Sequence, residues 1–378
     1  MALLAGLWSA AAAPAQTVAD PAAAVAAVPG WTLSLDAEEA WESNVRFSAP
    51  EGPGDTVSRL AARLDRTWSG RRGRFALSGG GRGSLYREVS DLNRFTYTAD
   101  AGGEYLLSPR AVVRASDAFL TSYASEIGAL TGTGLLLPTV LSRVNNARGS
   151  FSYAASRRTT TSLEVHDERV SFDDPALIGG STLTGSAILS QEITRADTLS
   201  ATVLYSLSSV EAERSRRQTG YAAWSHAFGT SVRGRARFGA SRFQPLGVSA
   251  YRTTPVGGGD VEARWGRQTI EGRYDRFVDL AYGLGRVRVN NLFSGRYAVS
   301  LTSALVADVR AFRGRSVDPV DASFELTNTD LAAGLRYTLT GGIALVGSYT
   351  RRQSVQAPAA PVFNQGVSVF VTYERAWR

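Results

Sequence analysis

The residues of this sequence with the clearest chemical character are arginines in strict alternation along residues 231–243, which read "SVRGRARFGASRF". Arg233, Arg235 and Arg237 are separated by single small or apolar residues. An α-helix would scatter them around its surface, whereas a β-strand places every second side chain on one face. The segment therefore predicts a strand with one cationic face and one apolar face.

More charges are expected on the same face of the neighbouring strands. The arginines form a predicted cationic stripe that consists of Arg233, Arg235, Arg237, Arg264, Arg273, Arg288 and Arg310. The acidic residues predicted on that face are Glu262, Glu271, Asp275 and Asp308. Two roles remain open. A lattice of cross-strand salt bridges would explain most of these residues, while surplus arginines would guide an anionic solute.

Enzyme chemistry has few candidates in this sequence, which contains no Cys and only two histidines, His166 and His226. The one cluster that suggests a catalytic or metal site is His166-Asp167-Glu168, and in a strand Asp167 points away from the other two side chains. The glycines of "SGGGRGS" (78–84) precede no helix and no Lys, which excludes a phosphate-binding loop. We predict no catalytic residue, no metal site and no cofactor.

The elements that would position these residues are strands, because period-2 alternation recurs from Trp31 to the end of the chain. Eight short turns are predicted near 69–73, 108–110, 155–159, 194–197, 229–230, 266–268, 300–303 and 340–342. They alternate with nine longer loops near 43–55, 86–93, 124–142, 173–180, 209–217, 244–258, 278–285, 314–326 and 351–364. This pattern predicts an all-β, antiparallel, up-and-down transmembrane barrel of about 18 strands. The competing interpretation is a soluble propeller or sandwich with an arginine-rich solvent face.

Aromatic residues precede seven of the eight short turns, which predicts an interfacial girdle in contact with membrane lipid. The girdle consists of Trp68, Tyr105, Tyr153, Phe228, Trp265, Tyr297 and Tyr337. An arginine facing the bilayer midplane costs roughly 2–4 kcal/mol. The arginines of residues 231–243 are therefore predicted to face a water-filled lumen, with Val232, Ala236 and Phe238 facing lipid.

The domain organisation follows from the N-terminal composition. Residues 1–15 resemble a secretory signal peptide with an A-x-A site, residues 16–30 form an Ala/Pro-rich linker, and residues 31–378 form the barrel.

All 41 basic residues are Arg, and the formal net charge is +7. Because these arginines are spread through the strands, with no basic tail or basic helix, we predict no nucleic-acid partner.

The last segment, "NQGVSVFVTYERAW" (364–377), resembles the C-terminal signal that bacterial outer-membrane β-barrels present to the barrel assembly machinery. The matching positions are Gly366, Val369, Val371 and Tyr373, with Trp377 near the end. The chain departs from that family by ending on Arg378 after Trp377. The resemblance implies a location in the cell outer membrane and the assembly machinery as a partner.

Two further segments, "EEAWESNVRF" (38–47) and "LSPRAVVRA" (107–115), resemble β-barrel porins associated with exopolysaccharide secretion. That resemblance implies a passive conduit for an anionic polymer, with periplasmic polysaccharide-export proteins as partners. The alternatives are a general or anion-preferring diffusion porin for small solutes and a structural surface barrel. A small-solute porin needs a constriction, and 124–142 and 244–258 are the only predicted loops long enough to form one.

Overall fold

The computed structural model describes residues 30–47, 52–123, 140–211, 213–321, 324–339, 341–356 and 360–377. The predicted signal peptide and all of the linker except Gly30 lie outside this part of the chain. The described residues form one short 3-10 helix, Ser90–Leu92, and the strands β1 (Gly30–Glu42), β2 (Asp55–Ser69), β3 (Gly73–Tyr86), β4 (Arg94–Ser108), β5 (Ala111–Tyr123), β6 (Leu141–Ala154), β7 (Thr159–Phe172), β8 (Gly180–Glu192), β9 (Asp197–Val210), β10 (Glu213–Phe228), β11 (Val232–Phe243), β12 (Arg252–Trp265), β13 (Gln268–Ala281), β14 (Arg286–Ser300), β15 (Leu305–Val317), β16 (Glu325–Thr338), β17 (Ile343–Gln356) and β18 (Val362–Trp377).

These strands form one closed 18-stranded sheet in which each strand pairs antiparallel with its neighbours in sequence. Closure comes from β1, which pairs with both β2 and β18, and Trp31 lies opposite Trp377. A closed sheet leaves no strand edge whose backbone groups lack partners in hydrocarbon. The predicted antiparallel up-and-down barrel of 18 strands is confirmed.

The outward face of the sheet is apolar and the inward face is mixed with polar residues, as β18 illustrates. Val367, Val369 and Val371 point outward and are about half exposed, at 51%, 53% and 45%. The intervening Ser368 and Phe370 point inward and are buried. Such a continuous band of exposed aliphatic side chains requires an apolar surrounding. No helix in the described part of the chain is both long and apolar enough to cross a membrane, a finding that does not bear on strands.

The eight short connections occur where the sequence places them, at the barrel end that carries both termini of the sheet. At the opposite end, several predictions of longer loops are wrong over part of their range. Residues 278–281 belong to β13, and residues 351–356 and 362–364 belong to β17 and β18. Two further predictions of this kind are 209–217 and 244–258. Residues 209–217 belong mostly to β9 and β10, which are joined at 211–212, and residues 252–258 of the predicted 244–258 loop belong to β12. Polar residues on both faces of these strand ends conceal the alternation. Residues 124–139 lie outside the described residues.

Candidate functional site: the barrel lumen

The lumen is crossed by the end of the β13–β14 hairpin, residues 277–288, which we call the inward hairpin. β13 pairs with β12 only as far as Arg276, opposite Gly257, although β12 continues to Arg252 alongside β11. On the other side, β14 pairs with β15 only from Val289 onward. Within residues 277–288 the two strands pair with each other, so the hairpin leaves the wall as an intact two-stranded unit.

Contacts at the hairpin tip show that it reaches a distant part of the wall, at β8. The Tyr282 hydroxyl donates a hydrogen bond to Thr182 Oγ1 on β8 at 2.8 Å. The backbones of Ile178 and Gly283 form a two-way bridge, with N–H to O distances of 3.3 and 2.8 Å. β9, β10, β11 and β12 lie between β8 and β13, a path of roughly 24 Å along the wall at about 4.8 Å per strand. The direct contact therefore passes through the interior.

A second polar anchor holds the stem of the hairpin. The guanidinium of Arg217, on β10, donates to the carbonyl oxygen of Val278 and to Asp279 Oδ1, the latter at 3.1 Å. The same guanidinium donates to Ser206 on β9 at 3.0 Å. One arginine thus ties the hairpin to two strands of the wall.

Apolar side chains fill the space between the hairpin tip and the wall. Leu120, Val144 and Val170 lie directly opposite one another on β5, β6 and β7, and all three are buried. Together with Val210 on β9 they pack against Leu280 and Tyr282 of the hairpin in one cluster. The remaining buried cluster at the hairpin is formed with β11 and β12 and consists of Phe243, Val256, Val278 and Val287. Both sides of the hairpin are therefore buried.

Tyr282 is the most enclosed titratable group of the turn between β13 and β14, with 4% of its surface exposed. Burial raises the pKa of Tyr282, and the nearby negative charge of Glu168 raises it further. The phenol consequently stays protonated and keeps its donor role toward Thr182.

Two glycines allow the tight turn at the tip. Gly283 and Gly285 have φ angles of 85° and 59°, which other residues adopt only at a cost. A Cβ on Gly285 would also lie 2.9 Å from the Ile178 side chain. Gly180 on β8 is also tightly enclosed, because its Cβ would lie 2.7 Å from the Ser209 carbonyl oxygen and 3.2 Å from the Val210 side chain.

The structure narrows the lumen with residues from the predicted 278–285 loop, which the sequence analysis did not name as a constriction. Of the two loops that it did name, 244–258 forms a short connection and part of β12, and Leu246 of that connection packs against both buried clusters of the hairpin. Residues 124–139 of the other loop lie outside the described residues, so a constriction there stays a prediction. Tyr282, Arg217 and Ile178 were missed by sequence reasoning. A signal was present, because Val278, Leu280, Ala281 and Tyr282 are apolar on both faces of the strand, as expected of a buried segment.

The arginines of the predicted cationic stripe lie on the inward face, mostly in ion pairs. Phe238, between them on β11, is 72% exposed on the outward face. Arg235 pairs with Asp260 at 2.7 Å and Arg310 with Asp308 at 2.9 Å. Arg237 and Arg273 both pair with Asp275, and Arg264 pairs with Glu262. Arg233 lies opposite Glu262 in register.

Arg288 differs from the rest of the stripe, because it is fully buried and so does not line open lumen. Its guanidinium donates to the carbonyl oxygens of Ser316 and Phe324 and lies 4.9 Å from the centre of the Phe324 ring. It fastens the base of the inward hairpin to β15 and the segment that follows it. The sequence could not reveal that Arg288 is buried, because the alternating pattern of β14 continues unchanged past the point where the hairpin leaves the wall.

The histidines lie on opposite faces of the barrel. His166 points inward and its Nε2 contacts Asn146 Oδ1 at 2.9 Å, while Asp167 points outward and pairs with Arg169. His226 is on the outward face, where it pairs with Asp197 at 2.7 Å. Within the described ranges, no group of three or more His, Asp or Glu side chains is arranged to hold a metal ion.

The seven residues of the predicted girdle all lie outward next to the short connections, and each is between 39% and 55% exposed. Arg66 sits among such rings, with its guanidinium 5.0 Å from the centre of the Trp31 ring and 5.2 Å from that of Trp68. In the C-terminal strand, Val369, Val371 and Tyr373 point outward and Gly366 inward. An assembly signal in these positions and Trp377 stays a prediction.

The chain matches no protein-family model and no curated protein. It is similar in fold to three outer-membrane structures that we compared. OccAB4 of Acinetobacter baumannii superposes with a TM-score of 0.50 at 11% identity, covering 92% of this chain and 98% of OccAB4. OccK3 (OpdO) of Pseudomonas aeruginosa gives 0.50 at 13%, covering 92% and 96%. The outer membrane protein OpdK of Pseudomonas aeruginosa gives 0.50 at 10%, covering 92% and 99%.

The similarity to these structures is one of fold. Together with the closed sheet and its apolar outward band, it identifies the chain as a β-barrel of the cell outer membrane. The short connections then lie on the periplasmic side, and the connections at the other end, including the base of the inward hairpin, lie on the extracellular side.

Proposed function

We propose that this barrel is a passive outer-membrane channel for small solutes with a preference for anions. The observation that carries the proposal is the inward hairpin. A barrel of 16–18 strands leaves an aqueous channel, and an element that crosses this channel sets the size of what passes. The apolar clusters occupy the lumen next to β5–β7, β9, β11 and β12, so solutes follow the polar wall elsewhere.

The preference for anions is supported by the sharing of carboxylates on β11, β12 and β13. Asp275 binds both Arg237 and Arg273. Glu262 binds Arg264 and faces Arg233 across the strand pair. Asp275 is shared by two guanidinium groups, and Glu262 already pairs with Arg264 beside Arg233, so positive charge remains on this wall. Arginines lining a pore favour anions.

Export of an exopolysaccharide finds less support than this small-solute alternative. A polymer conduit needs a continuous bore, and residues 277–288 cross the lumen. Periplasmic export proteins and an anionic polymer would be partners only under the export hypothesis.

The test is solute flux through purified protein in liposomes. OpdK has been crystallised with vanillate, an aromatic carboxylate, and vanillate is therefore a suitable probe beside its neutral amide. We expect faster entry of vanillate than of the amide, and loss of the difference when Arg233, Arg235 and Arg237 are all replaced by Ser. Equal entry would refute the anion preference, and no flux or conductance would indicate a structural barrel. Loss of surface polysaccharide in a deletion strain with normal solute uptake would favour export.

A further inference from the structure

The outward surface of β7–β12 carries a concave region of about 790 Å³, which we call the outer groove. It does not belong to the lumen, because the side chains that form it point toward lipid. Leu163 on β7 is 54% exposed and Val203 on β9 is 62% exposed, and Val203 lies between Ala187 and Gly220. Gly185, Ala187 and Gly220 are the small residues of the groove floor.

The groove exists because small residues are set among large ones. A Cβ on Gly185 would meet no atom within 4 Å, and on Gly220 the nearest atoms lie 4.0 Å away. Neither glycine is required by the backbone, since neither has a positive φ. These glycines leave open space on a surface that faces hydrocarbon, and an acyl chain fills such space.

Two exposed arginines stand at the extracellular end of the groove. Arg242 lines it, and its guanidinium lies 4.5 Å from the centre of the Tyr251 ring, which restrains it. Arg242 is opposite Gln218, and Arg216 is the next outward residue along β10. Among the described residues of β8–β12, no acidic side chain points outward in this extracellular half.

We propose that the outer groove binds an anionic lipid of the outer leaflet, with one acyl chain along Gly185 and Gly220 and a head-group phosphate on Arg216 and Arg242. The charge of the two guanidinium groups and their planar donor geometry suit phosphate. Their height suits it as well, because the arginines lie at the extracellular end of the strands, above the apolar floor. This site is independent of what the lumen conducts.

The test is native mass spectrometry of the purified barrel in detergent, titrated with bisphosphorylated lipid A and with the same lipid after removal of its phosphates. We expect one tightly retained lipid A and weak retention of the dephosphorylated form. Arg216→Ser with Arg242→Ser should weaken binding about 25-fold, at about fivefold for each arginine. Gly185→Leu should weaken it about tenfold or more by filling the groove.

Matched controls separate this site from general adhesion of lipid. Gly347→Leu adds the same side chain on the outward face of β17, where a Cβ also meets no atom within 4 Å. Arg315→Ser removes an extracellular-end arginine that already pairs with Glu325 at 2.7 Å. Both should bind lipid A like the wild type. Equal loss in the controls, equal retention of the dephosphorylated lipid, or a second copy of the chain in place of lipid would each overturn the proposal.

Discussion

Replacement of Tyr282 by Ser should release the inward hairpin and widen the channel. Tyr282 is 4% exposed, packs against the row of Leu120, Val144 and Val170, and donates to Thr182. Loss of a buried aromatic ring costs about 3–5 kcal/mol, and loss of the hydrogen bond adds about 1 kcal/mol. At about 1.4 kcal/mol per factor of ten, the released state should become at least about 100-fold more populated.

A more conservative change separates the two contributions of this residue. Tyr282→Phe keeps the ring and removes the hydroxyl, so only the polar contacts of the hydroxyl with Thr182 and Glu168 are lost. That loss is worth about 1 kcal/mol, or roughly a fivefold change in the released population. Tyr349→Ser, on the outward face of β17, removes a similar ring that has no part in the hairpin.

The assay is single-channel recording in planar lipid bilayers. We expect larger or more frequently open conductance levels for Tyr282→Ser, a small increase for Tyr282→Phe, and wild-type behaviour for Tyr349→Ser. Resistance of the barrel to unfolding in detergent, measured on the same samples, confirms that the sheet is intact. Wild-type conductance in an intact, inserted Tyr282→Ser barrel would refute the view that this hairpin sets the constriction.

Two other changes test the lumen by different means. Asp275→Asn should raise the anion-to-cation permeability ratio roughly two- to fivefold, because removal of one partly screened carboxylate frees both of its arginine partners. The reversal potential in a salt gradient measures this ratio, and a shift toward cation permeability would contradict the reasoning. Gly285→Val should increase conductance like Tyr282→Ser, because it strains the backbone at φ 59° and places a Cβ 2.9 Å from the Ile178 side chain. Together these should destabilise the docked hairpin by roughly 1–3 kcal/mol. Gly229→Val introduces similar strain at φ 75°, but its Cβ has no neighbour within 4 Å, so the channel conductance should stay unchanged. Equal effects of the two substitutions on conductance would show that strain at the hairpin is not the cause.

The strand number and the two faces of the wall could be predicted because both are local properties. A strand in a barrel wall alternates between lipid and lumen at every residue, so Arg235 and Phe238 reveal their faces without knowledge of their neighbours. Strand ends could not be placed equally well. Outside the hydrocarbon the lipid face no longer has to be apolar, and residues 213–217 therefore resemble a loop although they belong to β10.

The ion pairs of the lumen required the register, which the sequence does not show. Asp275 binds Arg273 on its own strand and Arg237, which is two strands away. Such a pairing depends on how β11, β12 and β13 are aligned, and a shift by one residue would move each of these side chains to the other face. The prediction of a charged wall therefore holds at the level of the face, and the identity of each pair comes from the structure.

The inward hairpin shows how a short connection can narrow the lumen of a barrel. A loop in the lumen must find partners for its backbone groups, whereas the strands of residues 277–288 pair with each other and carry their hydrogen bonds inward. What the hairpin then needs is an apolar surface on the wall, where a water-filled lumen would otherwise favour polar residues. Leu120, Val144 and Val170 provide it as directly opposed inward residues on three adjacent strands. A row of inward aliphatic residues at one level, together with a hairpin that is apolar on both faces, is therefore the sequence pattern by which this type of constriction can be predicted.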